Sequence, residues 1–260
     1  MLMKKSYSIG IIPSRYGSTR FPGKPLVNIA GKPMIQRVYE QALQSELDEV
    51  LVATDDQRIY DLVHGFGGKA IMTGMHENGT ARCVAAFFEH AMKYDILVNI
   101  QGDEPFIAPE QINAVLRAFE LPHTPIATLM KPIYQLEELQ NPNVVKVVFT
   151  KEIHRGIRNA LYFSRTPIPH VRDQAIEEAL AAGHFYKHIG LYGFSRSFVT
   201  QQYTFMKEGR LEQLEVLEQL AWLEEHKTIR LIETHLEAPS IDTPADLEAA
   251  LLWWQGQNKG

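Results

Sequence analysis

Residues 8–25 read SIGIIPSRYGSTRFPGKP. A short apolar run, 8–12, ends at Pro13 and passes into a loop that carries Gly17, Gly23 and three cations, Arg15, Arg20 and Lys24. An apolar run bounded by turn residues reads as a strand. In parallel sheets, ligands bind beyond the carboxyl ends of strands, on the loops that follow them. Three like charges on one constrained loop repel one another unless an anion joins them, and arginine and lysine donors suit phosphate oxygens. The loop fits neither GxxxxGK[ST] nor GxGxxG. On these residues alone a solvated basic turn stays open as the plain alternative.

Outward from this loop, apolar runs alternate with helix-period segments through the first half. Strands are predicted at 8–12, 49–54, 69–73 and 96–100. Between them Pro33 can start a helix whose apolar face is Ile35, Val38, Tyr39 and Ala42, and 110–121 repeats the pattern with Ile112, Val115, Leu116 and Phe119. Alternation of this kind predicts an α/β fold, a mainly parallel sheet covered on both faces. The second half is richer in strands, at 126–130, 144–149, 160–163, 187–194 and 228–233, and suggests an added antiparallel layer. A long helix is predicted over roughly 211–226. The reading is one domain over 1–254, with halves at about 1–125 and 126–254, and a loose tail at 255–260.

Composition narrows the class. The 260 residues include 45% apolar and 22% charged, an ordinary globular balance, and the net charge of −5 argues against a surface that coats nucleic acid. Cys83 is the single cysteine, which excludes an internal disulfide and a multi-thiolate metal site and points to a reducing compartment. No apolar run approaches the roughly 18 residues of a membrane span. The first residues, MLMKKSYSIGIIPSRYG, are read as strand one of a cytoplasmic protein, because glycine and Pro13 cut the apolar stretch short of a secretory core.

Three further segments carry chemistry. Asp103 follows an apolar strand in NIQGDEP, where a carboxylate can hold Mg²⁺ or cap a helix. Asp242, in IDTPADL, raises the same pair of readings, with Pro244 in the first turn of a following helix. Together the two aspartates make a metal site at one end of the sheet a stronger expectation than either alone. Arg165 in YFSR and His188 in KHIGLY are polar groups at the ends of apolar strands, where a structural histidine is the plain alternative.

IIPSRYGSTRFPGKPL, ATDD, NGTAR, VNIQGDEP, NPNVVKVV, ALYFSRTPIP, HIGLYGF, LEQLEVLEQL and IDTPADL occur in this order. Over about residues 8–250 the chain resembles the 3-deoxy-manno-octulosonate (Kdo) cytidylyltransferases. The resemblance implies a Rossmann-like nucleotidyltransferase fold that dimerises through its strand-rich half. It implies transfer of CMP from CTP to Kdo with release of pyrophosphate, using Mg²⁺, in the cytoplasm, for lipopolysaccharide assembly. By matching position it implies that Arg15, Ser18, Thr19, Lys24, Gly79, Thr80 and Arg82 bind the nucleotide. Lys24, Asp103 and Asp242 would be catalytic, the two aspartates as metal ligands, and Gln101, Arg165, His188, Tyr192, Glu215 and Gln219 would bind the sugar acid.

Two positions depart from the family pattern. Ala81 stands where an acid usually separates Thr from Arg, and Ala221 stands where LEQLR ends in arginine. The first bears on how Arg82 is oriented, the second on packing around Glu215 and Gln219 and so on the choice of sugar. Rival readings are the same chemistry on the 8-amino analogue of Kdo, and a uridylyl- or guanylyltransferase, against which the absence of a GxGxR-type opening counts. A silent sugar-nucleotide sensor is a third, which has little need of two metal carboxylates.

Overall fold

The computed structural model describes residues 6–17 and 20–257. The chain divides into two compact units, residues 1–113 with 237–260, and residues 114–236. The C-terminal segment, read from sequence as part of the second half, thus belongs to the first unit.

In the first unit β1 (Ser8–Ser14) lies between β4 (Glu49–Thr54) and β6 (Ile96–Asn99), and β5 (Ala70–Met72) flanks β4. All three pairings are parallel. Near-continuous apolar strands are what a sheet buried on both faces requires, and Ile9, Ile11, Ile12, Val52, Leu97 and Val98 are all buried. A two-stranded ribbon, β2 (Asn28–Ile29) and β3 (Lys32–Pro33), follows the basic loop.

Helix α1 (Met34–Leu43) buries the predicted face, Ile35, Val38, Tyr39 and Ala42, with Pro33 standing just before its first turn. Helices α2 (Gln57–Gly65) and α3 (Gly79–His90) start on side-chain caps. Asp56 accepts from the Arg58 amide and Asn78 from the Ala81 amide. Helix α4 (Pro109–Arg117) spans the residues where the division falls, and a 3-10 turn over Ala118–Glu120 ends the segment predicted as one helix over 110–121.

The second unit holds β7 (Ile126–Pro132), β8 (Lys146–Phe149), β9 (Ile157–Ser164), β10 (Tyr186–Ser195) and β11 (Ile229–Glu233) in the order β10-β7-β11-β9-β8. Among these pairings β7–β11 is parallel, while β10–β7, β11–β9, β8–β9 and β10–β8 are antiparallel; the strands lie in one sheet and form no separate layer. Short helices α5 (Leu136–Gln140), α6 (Ile176–Ala181) and α7 (Arg196–Gln201) connect them.

The helix predicted over 211–226 is two, α8 (Arg210–Glu215) and α9 (Glu218–Glu224), separated by Val216 at φ 53°. The cause lies in Arg165. Its guanidinium takes the carbonyls of Glu215 (2.6 Å) and Val216 (3.1 Å), which a continuous helix would use for its own amides.

In the first unit α10 (Pro244–Gln257) closes the chain and runs through three residues of the segment read as a loose tail. Its Leu247, Leu251 and Trp254, together with Ala250, pack on Ile29, Met34 and Phe106.

Candidate active site

The first unit carries a cleft lined by Ser14, Arg15, Arg20, Lys24, His76, Asn78, Gly79, Arg82, Gln101, Gly102, Asp103 and Asp242, among others. Strand β1 delivers the chain to it at Ser14. The basic loop then folds back on itself through the Gly23 amide, which donates to the Tyr16 carbonyl at 2.9 Å. A 3-10 turn over Lys24–Leu26, with Pro25 fixing its backbone, aims Lys24 inward. On the outer side the Arg58 guanidinium lies 3.3 Å from the centre of the Tyr16 ring, bracing the loop.

Lys24 is the centre of the site. Its Nζ donates to Asp103 Oδ2 at 2.9 Å and to Asp242 Oδ1 at 3.0 Å, and its side chain is only 12% exposed. Arg20, more open to solvent, pairs with the other oxygen of Asp242 at 3.2 Å. Asp103 arrives on the turn after β6. That turn presses so closely on the end of β1 that a Cβ on Gly102 would stand 2.7 Å from the Pro13 carbonyl oxygen, so only glycine fits.

The Asp103 carbonyl accepts from the Ile241 amide at 2.9 Å and draws the C-terminal segment alongside. There the two readings of IDTPADL separate. Thr243 caps α10, its hydroxyl accepting from the Asp246 amide, while Asp246 accepts from the amides of Asp242 and Thr243. The Asp242 amide takes part in the cap, but its carboxylate is left out of it and turns to Lys24 and Arg20. Beside Asp103, the Glu104 carboxyl is pushed up to about 8 by burial, with Asp103 and Glu237 adding repulsion. It therefore stays largely protonated at neutral pH.

The opposite wall is the start of α3. Asn78 and Gly79 line it at the helix N-terminus, where free amides and the helix dipole favour an anion. Arg82, one turn on, is buried and held by Thr73 Oγ1 (2.6 Å), the Gly74 carbonyl (3.2 Å) and Asp55 (2.6 Å). Its orientation therefore does not depend on position 81. Ala81 is the third residue after the Asn78 cap, where an acid would complete a capping box, so the departure concerns the helix start and the charge beside the cleft.

Four cations, Arg15, Arg20, Lys24 and Arg82, thus face two carboxylates in the lining. Among the described residues no group of three or more His, Cys, Asp or Glu side chains is placed to hold a metal.

The structure brings Arg15, Lys24, Gly79, Arg82, Gln101, Asp103 and Asp242 to this cleft. Thr80 does not face it with its hydroxyl, which accepts from Asn99 Nδ2 inside the core. Ser18 and Thr19 lie outside the described residues. Sequence reasoning missed Ser14, His76, Asn78 and the Asp55 anchor. Ser14 sits in the quoted stretch, and its buried hydroxyl has no hydrogen-bond partner among the described residues. Asp55 was visible in ATDD, but nothing local paired it with Arg82.

The remaining sugar-site candidates belong to the second unit. Glu215 accepts from Ser164 Oγ (2.7 Å) and the Arg165 amide (2.9 Å), and Arg165 also reaches the Pro142 carbonyl (3.0 Å). Thr128 Oγ1 lies 3.0 Å from His188 Nε2, 3.0 Å from the Ile189 carbonyl and 2.8 Å from that of Leu191. A hydroxyl has one proton to give, and both carbonyls can only accept. Thr128 therefore accepts from His188, which fixes the proton on Nε2 and leaves Nδ1 an acceptor.

Burial holds His188 down at about 3, so the ring is neutral. Tyr192 stacks obliquely against it at 5.2 Å. Its buried hydroxyl has no partner among the described residues, and burial raises its pKa well above 10, with Glu218 adding to the shift. Gln219 is buried on α9. Ala221 is also buried there, between Leu220 and Trp222, in a place where an arginine would have to displace packed side chains.

The cytidylyltransferase family profile matches residues 9–229. A 3-deoxy-manno-octulosonate cytidylyltransferase of Parabacteroides distasonis is 49% identical over 248 residues, covering 94% of this chain and 96% of the relative. One of the same name from Phocaeicola vulgatus is 50% identical over 246 residues, covering 93% and 95%. The chain belongs to the 3-deoxy-manno-octulosonate cytidylyltransferase family. Among solved structures, a CMP:2-keto-3-deoxy-manno-octonic acid synthetase complexed with CTP superimposes with a TM-score of 0.87 at 42% identity, over 97% of this chain and all of that one. The 4-diphosphocytidyl-2C-methyl-D-erythritol synthase of Anaerococcus prevotii, at 12% identity and a TM-score of 0.62, shares the nucleotidyltransferase fold alone. The family resemblance seen in the motifs is thus a membership.

Proposed function

We propose that this chain transfers CMP from CTP to the anomeric hydroxyl of Kdo, forming CMP-Kdo and pyrophosphate. The observation that carries the reading is the cleft itself. Four cations and a helix N-terminus converge where two aspartates share one lysine, in a member of this family. Arg15, Arg20 and Lys24 hold the triphosphate, and the Asn78–Gly79 helix start supplies amides to it. Arg82, locked by Asp55, adds fixed charge without reorganising.

Asp103 and Asp242 are the residues that would hold Mg²⁺. Two hard carboxylate oxygens that already converge on one cation suit an ion that keeps its other places for water and phosphate. When bound, magnesium supplies charge neutralisation at the phosphates and lowers the pKa of a hydroxyl beside it. The chain's part is positioning, which dominates phosphoryl transfers.

For the sugar acid, the reading assigns Gln101, Arg165, His188, Tyr192, Glu215 and Gln219. What supports it is that His188 Nδ1 is a neutral acceptor and the Tyr192 hydroxyl is buried with no partner among the described residues. We further infer work as a dimer through the second unit, where Tyr134, Leu161, Leu214 and Val216 are exposed apolar side chains. A cytoplasmic location and a supply of CMP-Kdo to lipopolysaccharide assembly complete the proposal. No helix among the described residues is long and apolar enough to cross a membrane.

A pyrophosphate-release screen crossing four nucleoside triphosphates with Kdo, its 8-amino analogue and other keto-sugar acids tests the reaction. Release with CTP and Kdo at the highest kcat/KM is expected. No release from folded protein with CTP, Kdo and Mg²⁺ overturns it. Light scattering on a sizing column reads the oligomer.

A further inference from the structure

We propose that the Lys24 ammonium occupies the cation position between Asp103 and Asp242 until a triphosphate draws it away, so that divalent metal and nucleotide enter together. The inference rests on the nucleotide reading of this cleft. Lys24 Nζ is bonded at 2.9 and 3.0 Å to one oxygen of each aspartate, the two oxygens that would ligate a metal. Arg20 holds the second oxygen of Asp242. Lys24 and Arg20 therefore neutralise the two carboxylates, Arg15 and Arg82 add positive charge to the same lining, and no net negative field remains to attract a divalent ion. An ammonium and a divalent cation cannot share the same two oxygens, because their charges repel at contact distance.

Two carboxylates are also too few for a tight magnesium site by themselves, and among the described residues no larger cluster backs them up. A triphosphate changes both terms at once. Its oxygens offer Lys24 a better-charged partner a short side-chain swing away, and they supply the ligands that the metal lacks. In the exchange one ammonium would leave the aspartates for phosphate, and a divalent ion, carrying one positive charge more, would take its place beside the anionic triphosphate. The geometry gives Lys24 two successive partners, carboxylate and then phosphate. A third outcome, metal bound without nucleotide, is disfavoured.

Mn²⁺ binding, followed by loss of the free-ion electron paramagnetic resonance signal, tests this without turnover. It is measured on the full chain with and without CTP and with no sugar acid present. Wild type is expected to bind Mn²⁺ roughly tenfold or more weakly without CTP than with it. K24Q is expected to bind Mn²⁺ without CTP at least about tenfold more tightly than wild type, with the CTP effect reduced. R15Q is the control for loss of one positive charge, since Arg15 lines the same cleft but pairs with neither aspartate. Only the arm without CTP is read for this control, because Arg15 is assigned to the triphosphate, and there its Mn²⁺ affinity should stay near wild type.

Equal Mn²⁺ affinities of K24Q and R15Q without CTP would overturn the proposal, because the effect would then be one of overall charge. So would wild type that binds Mn²⁺ equally well with and without CTP, a comparison that survives if the variant fails to fold. Pyrophosphate release by wild type, run in parallel, separates the two readings. Release with no special effect of Lys24 sinks this inference and leaves the proposed function standing.

Discussion

Replacing Asp103 by asparagine should move two measurements in opposite directions. The substitution keeps size and leaves the main-chain bond from Ile241 to residue 103 in place, so the C-terminal segment stays seated. Lys24 keeps Asp242 at 3.0 Å. Without metal, a phosphate oxygen arriving at Lys24 approaches the Asp103 carboxylate to about 4 Å, where two unit charges repel by about 4 kcal/mol at an effective dielectric of 20. Asp103 is 29% exposed, and solvent screening reduces this to about 1–2 kcal/mol.

CTP should therefore bind Asp103→Asn roughly 5- to 30-fold more tightly than wild type in the presence of a chelator, read by titration calorimetry. With Mg²⁺ and Kdo, pyrophosphate release should fall about 100- to 1,000-fold in kcat, the usual size of losing one preorganised electrostatic contact to a transition state. Turnover within tenfold of wild type would refute the metal reading of Asp103. A parallel loss of metal-free CTP affinity would show that the carboxylate shapes the cleft and is not an anionic obstacle in it.

Ser14→Ala removes a buried hydroxyl without a partner among the described residues. It should raise Tm by about 2–4 °C and raise the KM for CTP about fivefold with kcat unchanged, if that hydroxyl serves the nucleotide. Ala81→Glu completes the capping box at Asn78 and should stabilise the fold by about 0.5–1 kcal/mol in denaturant titration. The same change puts a negative charge beside the phosphates and should raise the CTP KM. His188 has a folded pKa of about 3, below its ordinary 6.5, so its contribution is complete above pH 6.5 and is lost as pH falls toward 3. Between pH 6.5 and 5 this amounts to at most about 2 kcal/mol, and the wild-type minus His188→Gln difference in unfolding free energy should shrink by that much.

The loops that bear charge were legible because their chemistry conflicts with their surroundings. Three cations on a tight glycine loop, or an aspartate after an apolar strand, ask for a partner wherever they fold. Periodicity likewise found α1 and strands of both units, since alternating burial is written residue by residue. What escaped depends on partners distant in sequence. Arg82 is anchored by Asp55, which no local spacing reveals. Thr80 looked like a ligand from its place beside Gly79, yet Asn99 turns its hydroxyl into the core. The segment 211–226 has an unbroken helical pattern, yet it divides at Val216, where Arg165, some fifty residues earlier, takes the Glu215 and Val216 carbonyls and Ser164 and the Arg165 amide take the Glu215 carboxylate. Asp242 is ambiguous in the sequence because only the fold shows that Thr243 and Asp246 make the cap without its carboxylate.

The return of residues 237–260 to the first unit also bears on how the protein is made. A ribosome releases the basic loop, the α3 amides and Asp103 well over a hundred residues before Asp242, which arrives on the segment whose α10 covers Ile29, Met34 and Phe106. Until that segment emerges, the nascent first unit has its cations but only one of the two aspartates, over an uncovered core. A message truncated before codon 242 would therefore encode no weakened enzyme. Its product would lack together the second of the two aspartates that Lys24 joins and the helix that covers Ile29, Met34 and Phe106.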